Sequence, residues 1–196
     1  MDEVNSTLSR SRGRVRAADG TRIAYERYGD GPPLVLLGRA PGTAEAERPL
    51  AGLLAARHSV VVYDRRGPGD GPADGLRREV EDLAALLDAL GGSAAVHGAS
   101  SGGGLALAAA AEGLSVPRLS VYEPHTPAPD GPALLARVRQ RVLVVDGGAS
   151  PRPVREAALA VAAALPRGRH RTLTGQTHVA APHVLAPVLA DWFAQE

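Results

Sequence analysis

The sequence predicts a three-layer α/β fold built on a mostly parallel β-sheet. Short apolar runs of strand length alternate with longer segments that have helical periodicity. Because buried strands that alternate with helices are joined by right-handed crossovers, they pair in parallel. Two alternating segments around Asp19-Gly20 form a hairpin signal, which adds antiparallel strands at one edge of the sheet.

Length and composition set the limits of this fold. The 196 residues suit one domain with a packed core, which we expect over residues 14–196 after a loose polar tail at 1–13. The net charge of +1, without a basic block, argues against a nucleic-acid surface. Since no apolar run has the length of a membrane span and the N-terminal segment is polar, we expect a cytoplasmic protein without a membrane partner.

The sequence contains neither cysteine nor lysine, and each absence excludes a class of chemistry. The chain has no cysteine, so disulfides, thiol catalysis and cysteine–metal sites are excluded. All 22 basic residues are arginine, which excludes Schiff-base chemistry and a lysine nucleophile. The six histidines form no metal-ligand cluster in the sequence, so we predict neither a metal nor another cofactor.

The first half of the chain holds the hairpin and two strand–helix units. The hairpin strands are predicted at 14–17 and 22–28, and the apolar run 34–37 is a buried strand after a Gly/Pro turn. Leucines at helical spacing predict a helix over 44–57, and 60–63 is a further apolar strand. The segment 76–90 carries an apolar stripe that ends at Gly91, which predicts an amphipathic helix.

The second half repeats the alternation. Apolar strands are predicted at 94–97, 119–122, 142–145 and 170–173. An Ala- and Leu-rich helix over 101–112 stops at Gly113, and a short helix is predicted at 133–139. Ser150-Pro151 resembles a cap and first turn of a helix that runs to 165, and a last helix covers 181–193.

The sharpest chemical signal is Gly98-x-Ser100-x-Gly102 between a predicted strand and a predicted helix. At such a tight turn a serine takes a strained backbone conformation with its hydroxyl exposed, which suits a nucleophile. The backbone amide of Ser101, at the helix start, would then face a developing oxyanion. The competing interpretation is a glycine-rich connection without chemistry. Ser101 is the weaker nucleophile because Ala99, not glycine, stands two residues before it.

Several motifs in order resemble those of the α/β-hydrolase fold family, in particular small hydrolases of actinobacterial type. The resemblance runs from about residue 14 to the end and is specific for the fold but not for a substrate. It is carried by segments 19–25 (DGTRIAY), 62–67 (VYDRRG), 98–103 (GASSGG), 122–124 (YEP), 143–148 (LVVDGG) and 175–178 (GQTH).

The resemblance implies a triad in the chain order Ser100, an acid, then His178 as general base. The family's usual acid position falls on Ser150, which is not an acid. Two alternatives remain for the acid, Glu123 and Asp146, which follow successive strands, and Glu123 is favoured. A third possibility is that neither carboxylate reaches His178. His178 could instead be a surface residue.

Among the other histidines, His97 is expected to pack in the core, with a base role in a rebuilt site as the alternative. His125 follows Glu123 and is expected on the solvated surface, with a place lining the opened cleft as the alternative. The charged, glycine-rich loop at 64–70 is expected to be structural, because it lacks the lysine and the helix start of a phosphate-binding loop.

Two further departures from the family affect the cleft. Leu37 precedes Gly38 where the family often has histidine, so the Arg39 amide is the expected second oxyanion donor. Only 18 residues separate Glu123 from Val142, where the family usually carries a lid of several helices. We therefore expect a lidless protein with an open cleft, which suits either a large substrate or a partner that completes the site, such as a second copy of the chain.

The function that follows is a serine hydrolase that acts on an ester or thioester through an acyl-enzyme, with a small molecule as its substrate. One alternative is a non-hydrolytic acid–base enzyme of secondary metabolism, such as a lyase, dehydratase or cyclase, on the same fold. The other is a catalytically inactive binding or assembly homologue.

Overall fold

The structure, a computed structural model, describes residues 9–40, 43–66, 75–125 and 131–195. Its sheet has the strand order β1-β2-β4-β3-β5-β6-β7-β8. Strand β1 pairs antiparallel with β2, and β2 pairs antiparallel with β4, whereas every other neighbouring pair is parallel. The predicted fold class is therefore confirmed. The strands are β1 (Arg10–Arg16), β2 (Arg22–Tyr28), β3 (Pro33–Leu37), β4 (Ser59–Tyr63), β5 (Ala95–Ala99), β6 (Arg118–Tyr122), β7 (Arg141–Gly147) and β8 (Gly168–Leu173).

Helices cover both faces of the sheet. They are α1 (Ala44–Leu54), α2 (Gly75–Ala89), α3 (Ser101–Ala111), α4 (Gly131–Arg137), α5 (Arg152–Ala164) and α6 (Pro182–Ala194). Helices α1 and α6 contribute to one apolar cluster, and α2 to α5 contribute to the other. Within the described ranges, none of these helices has the length and hydropathy needed to cross a membrane.

Strand alternation divides the core between the two layers. In β3, Leu34 and Leu36 belong to the cluster on the α1/α6 face, while Val35 and Leu37 belong to the other cluster. Both faces of the central strands are therefore apolar, as expected for a parallel sheet covered on both sides. Because aromatic residues are only 3% of the chain, leucine, valine and alanine supply most of this packing.

The first strand begins earlier than the sequence analysis expected. Residues 10–13, assigned there to the tail, continue the ladder with β2, and Arg10 pairs with Tyr28. Arg10, Arg12 and Arg48 all form ion pairs with the carboxylate of Glu26, which offsets the charge of this arginine-rich strand. The rest of the predicted tail, residues 1–8, lies outside the described residues.

Helix α4 does not form a lid. It has seven residues, and Leu134 and Leu135 are buried in the cluster shared with α3 and α5. This short segment is therefore part of a helical layer beside the sheet. Residues 126–130, which precede it, lie outside the described residues, as do parts of the two predicted loops at 38–42 and 64–75, namely residues 41–42 and 67–74.

Candidate active site

Ser100 is the single residue between β5 and α3, and its backbone conformation is strained. Its φ of 54° and ψ of −117° place it in the left-handed half of backbone space, which residues with a side chain rarely occupy. The Ser100 amide donates a 2.9 Å hydrogen bond to the carbonyl of Tyr122 in β6, which ties the turn to the sheet. This is the strand–turn–helix geometry that the Gly-x-Ser-x-Gly motif predicts.

The glycines of the motif are required by close backbone contacts. A Cβ atom on Gly98 would lie 2.3 Å from the Gly102 carbonyl oxygen, and one on Gly102 would lie 2.1 Å from the Leu37 carbonyl oxygen. Both separations are far inside van der Waals contact. The strand, the turn and the neighbouring strand β3 can therefore approach this closely only with glycine at both positions.

Glu123 is the carboxylate that meets His178. Its Oε2 lies 2.6 Å from His178 Nδ1, and its Oε1 accepts a 2.8 Å hydrogen bond from the Gly147 amide. The Glu123 side chain is completely buried, and its φ of 42° is a second strained backbone position in the site. Such strain in a buried residue is typical of a functional site.

Asp146, the alternative acid of the sequence analysis, is held elsewhere. Strand β7 extends through Gly147, so Asp146 continues the alternation of Val142 and Val144 toward the α5 face. Its Oδ2 accepts a 3.3 Å hydrogen bond from Arg155. Its Oδ1 lies 3.1 Å from His170 Nε2, at an angle that does not make a hydrogen bond. The structure therefore brings Glu123, and not Asp146, to His178.

The Ser100 hydroxyl has an unexpected partner, His125. Ser100 Oγ lies 3.0 Å from His125 Nδ1, and the His125 amide donates a 3.0 Å hydrogen bond to the Ser100 carbonyl. The ring centroids of His125 and His178 are 6.1 Å apart, so the two imidazoles are neighbours. The contact agrees with the less favoured of the two positions expected for His125, the cleft, and not with the solvated surface. The His125 side chain is exposed, but its position two residues after Glu123 was the signal that it reaches the site.

The loop that carries His178 is fixed from both sides. The Tyr122 hydroxyl donates a 2.5 Å hydrogen bond to the Thr177 carbonyl. The Gln176 side chain accepts a 2.8 Å hydrogen bond from the Ala181 amide, at the start of α6. Burial raises the pKa of Tyr122 above its ordinary value, so this hydroxyl remains a donor. These contacts place the imidazole of His178 over the buried carboxylate.

A buried arginine holds the predicted oxyanion loop at the start of α3. Arg65 Nη1 donates to the Gly38 carbonyl at 2.6 Å and to Ser101 Oγ at 3.2 Å. Its other guanidinium nitrogens donate to the carboxylate of Glu79. Ser101 Oγ also accepts a 2.9 Å hydrogen bond from the Ala40 amide. The Ser101 hydroxyl therefore joins the two segments that carry the predicted donors, the amides of Ser101 and Arg39.

A cavity of about 230 Å³ lies next to these residues, and His178 and the exposed Arg39 are among those that line it. A larger groove of about 760 Å³ lies between the N-terminal hairpin and α1. None of the site residues predicted from sequence lines that groove, so the smaller cavity is the one associated with the candidate site.

Comparison with solved structures identifies the class of protein that this fold and site define. An α/β hydrolase from Sphaerobacter thermophilus DSM 20745 is 35% identical and superposes with a TM-score of 0.84, over 93% of this chain and 100% of that one. The chain belongs to the α/β-hydrolase family. No family model matches the sequence.

More distant structures share the fold. An esterase from Rhodococcus sp. ECU1013 and a dienelactone hydrolase from Anabaena variabilis ATCC 29413 are each 19% identical to this chain, with a TM-score of 0.81. The alignments cover 94% and 95% of this chain and 99% and 97% of those proteins.

A curated relative adds a partial match. RutD of Azorhizobium caulinodans, whose name proposes that it hydrolyses a carbamate, is 38% identical over 96 residues. The match covers 45% of this chain and 36% of RutD, so the chain spans about a third of the relative that it matches. The family membership therefore rests on the Sphaerobacter thermophilus protein, and the more distant structures share the fold.

Proposed function

We propose that this protein is a serine hydrolase that cleaves an ester or thioester through an acyl-enzyme on Ser100. The observation that carries the proposal is the contact between Glu123 and His178, in a protein whose Gly-x-Ser-x-Gly serine stands at a strained strand-to-helix turn. A nucleophile, a base and a carboxylate that orients the base are the parts that such chemistry requires.

The roles of the two nitrogens of His178 follow from the contact with Glu123. Because Nδ1 faces the carboxylate, Nε2 is the nitrogen left to take the proton from the Ser100 hydroxyl. In the proposed mechanism the serine oxygen attacks the substrate carbonyl, and the amides of Ser101 and Arg39 stabilise the resulting oxyanion. His178 returns the proton to the leaving group, and a water deprotonated by His178 then releases the acyl group.

Ser100 contacts His125, and we propose that this contact holds the serine before substrate binds. His125 holds the serine hydroxyl, whereas His178 has the buried carboxylate that stabilises a protonated imidazole. We therefore assign the base to His178, and we propose that substrate binding transfers the serine hydroxyl from His125 to His178. His125 is then a positioning residue for the resting nucleophile.

The substrate is proposed to be a small molecule with an activated carbonyl. Esters and thioesters fit a mechanism that passes through an acyl-enzyme. A carbamate, the substrate that the name of RutD proposes for that protein, presents the same kind of carbonyl and is a further candidate.

A pre-steady-state assay with p-nitrophenyl butyrate tests this function. An acyl-enzyme mechanism predicts a burst of about one p-nitrophenolate per protein before slower turnover. Ser100→Ala is expected to lose both the burst and the turnover. Turnover that persists in a folded Ser100→Ala protein would contradict the proposal and favour acid–base chemistry that does not use the serine.

A further inference from the structure

The two predicted oxyanion donors have no acceptor among the described residues. They are the amides of Ser101 and Arg39, and neither donates a hydrogen bond to another described residue. Ser101 begins α3, where the first amides have no carbonyl within the helix to bind. Arg39 follows β3, which ends at Leu37, so its amide lies outside the strand ladder. Both amides are therefore available to a ligand.

The direction of the Arg39 amide is fixed through the residue before it. The Gly38 carbonyl and the Arg39 amide belong to one planar trans peptide group, so they point in opposite directions. Arg65 Nη1 donates a 2.6 Å hydrogen bond to that carbonyl. The Arg39 N–H therefore points away from Arg65. If this peptide group rotated by half a turn, its carbonyl oxygen would replace the N–H and would repel an oxyanion instead of stabilising it.

Gly102 leaves the space in which the Gly38 carbonyl lies. A Cβ atom on Gly102 would be 2.6 Å from the Gly38 oxygen, so this oxygen packs against the start of α3. Ser101 Oγ accepts a 3.2 Å hydrogen bond from the same Arg65 nitrogen and a 2.9 Å hydrogen bond from the Ala40 amide. The guanidinium of Arg65 thus connects the peptide group of one predicted donor to the residue that carries the other.

Arg65 is itself held in place. Only 3% of its side chain is exposed, and Glu79 in α2 accepts hydrogen bonds from its Nε at 3.0 Å and from its Nη2 at 2.9 Å. This two-point contact leaves Nη1 directed at Gly38 and Ser101. Because a charged donor polarises the carbonyl that it contacts, the N–H at the other end of the peptide group becomes a stronger donor. Arg65 therefore acts on both the direction and the strength of the Arg39 amide.

We propose that Arg65 is a positioning residue for the oxyanion hole, the pair of amides of Ser101 and Arg39. Through the Gly38 carbonyl it holds the Arg39 amide in the direction that an oxyanion on the substrate requires. The inference rests on the proposed serine hydrolase function and adds the residue that keeps one of its donors in place. In this role Arg65 acts through a peptide group and not on the substrate itself.

The test compares Arg65→Met with wild type on two esters, p-nitrophenyl butyrate and its thiono analogue, in which sulfur replaces the carbonyl oxygen. Because the donor acts in the transition state, kcat for the oxygen ester is expected to fall by about 30- to 100-fold while KM stays within about threefold. Sulfur accepts hydrogen bonds weakly, so the thiono ester is expected to lose less than about fivefold. The preference for the oxygen ester therefore falls, a change that general loosening of the fold would not cause.

Arg66→Met is the matched control. Arg66 is the next residue along the chain, and it forms its ion pairs with Asp82 and Asp19. In the folded variant, kcat and the preference between the two esters are expected to stay within about threefold of wild type. Arg65→Lys is the conservative variant. Its ammonium can donate to the Gly38 carbonyl but cannot reproduce the two-point contact of a guanidinium, so kcat is expected to recover to within about tenfold of wild type.

Each result bears on one of the two proposals. If folded Arg65→Met keeps kcat within about threefold, or loses the same factor on both esters, the positioning role is overturned while the hydrolase function stands. If Arg65→Met does not fold, the variant that also carries Glu79→Gln replaces it, because the second exchange removes the largely buried carboxylate that lost its partner. The same fall in preference is expected of this variant. No turnover of p-nitrophenyl butyrate by wild type, together with a Ser100 that no active-site probe labels, overturns the hydrolase function and the positioning role with it.

Discussion

At the residue scale, the proposed mechanism depends on one buried carboxylate, that of Glu123. Glu123 uses one oxygen for His178 and the other for the Gly147 amide, so its orientation is fixed at both ends. Asp146 is equally buried but faces Arg155 and His170. Two acidic residues at the ends of adjacent strands therefore have different surroundings, and only one can orient the proposed base.

Replacing each carboxylate by its amide distinguishes the role of Glu123 from that of Asp146. Glu123→Gln keeps an oxygen for the Gly147 amide but loses the charge that stabilises protonated His178, so kcat/KM for an ester is expected to fall by about 10² to 10⁴. Asp146→Asn is the matched control and is expected to remain within about threefold of wild type. Steady-state kinetics on both folded variants would contradict the assignment if Asp146→Asn caused the larger loss.

The buried His97 makes stability depend on pH. Its folded pKa of about 4 lies below the ordinary value of 6.5, so the unfolded chain binds more protons between these two values. Stability is therefore expected to fall as the pH decreases from 6.5 to 4, by about 3 kcal/mol for this group. Urea unfolding of wild type and His97→Gln over this range measures the difference. If the free energies of unfolding of the two proteins changed with pH in the same way, the expected contribution of His97 would be contradicted.

At the element scale, the sequence allowed the strand-to-helix turn to be predicted because its constraint is local. The strained φ of Ser100 and the close approach of Gly98 to Gly102 both lie within a few residues of the serine, whereas the approach of Gly102 to Leu37 of β3 is a contact between strands. A five-residue motif with a strand before it and a helix after it therefore contains most of the geometry.

A glycine exchange in this element has a matched control in another helix. Gly102→Ala places a Cβ 2.1 Å from the Leu37 carbonyl, and the free energy of unfolding is expected to fall by about 2 kcal/mol. Gly52→Ala in α1 meets no atom within 4 Å and is expected to stabilise the protein by about 0.5 to 1 kcal/mol. Thermal unfolding compares the two variants. If both variants changed the unfolding temperature equally, the turn would not require the close approach of Gly102 to the Leu37 carbonyl.

The partners of the serine and the base were harder to predict, because they depend on contacts between strands. Both faces of β7 are apolar, so the alternation of the sequence does not reveal which layer Asp146 faces. Glu123 leaves its strand with a positive φ, which redirects its side chain in a way that no periodicity indicates. The contact of His125 with Ser100 likewise joins residues 25 positions apart.

At the scale of the whole molecule, a small cavity lies beside the candidate site, and helix α4 packs on the opposite face of the sheet. The cavity of about 230 Å³ suits a short acyl group, whereas α4 packs in the layer of α3 and α5. In the proposed hydrolase, the acyl group binds in this cavity and the leaving group lies outside it. The expectation that a second copy of the chain covers the cleft stays a prediction, which sedimentation velocity tests.

The position of the cavity predicts how kcat/KM depends on the acyl group and on the leaving group of an ester. Lengthening the acyl chain from four to ten carbons is expected to lower kcat/KM by about 100-fold or more, because the cavity holds only roughly eight non-hydrogen atoms. Changing the leaving alcohol from phenol to the larger naphthol is expected to change kcat/KM by less than about threefold. A rate series in which the leaving group governs the rate and the acyl length does not would contradict this division.

Labelling with a fluorophosphonate, read by intact mass, tests the central claim that Ser100 is a nucleophile activated by His178. The account predicts one adduct on wild type, none on Ser100→Ala and at most slow labelling of His178→Ala. His125→Ala is the control, because His125 positions only the resting serine, and it is expected to be labelled within about tenfold of the wild-type rate. The absence of an adduct on wild type would contradict the account. Loss of labelling in His125→Ala with retention in His178→Ala would contradict the assignment of the base.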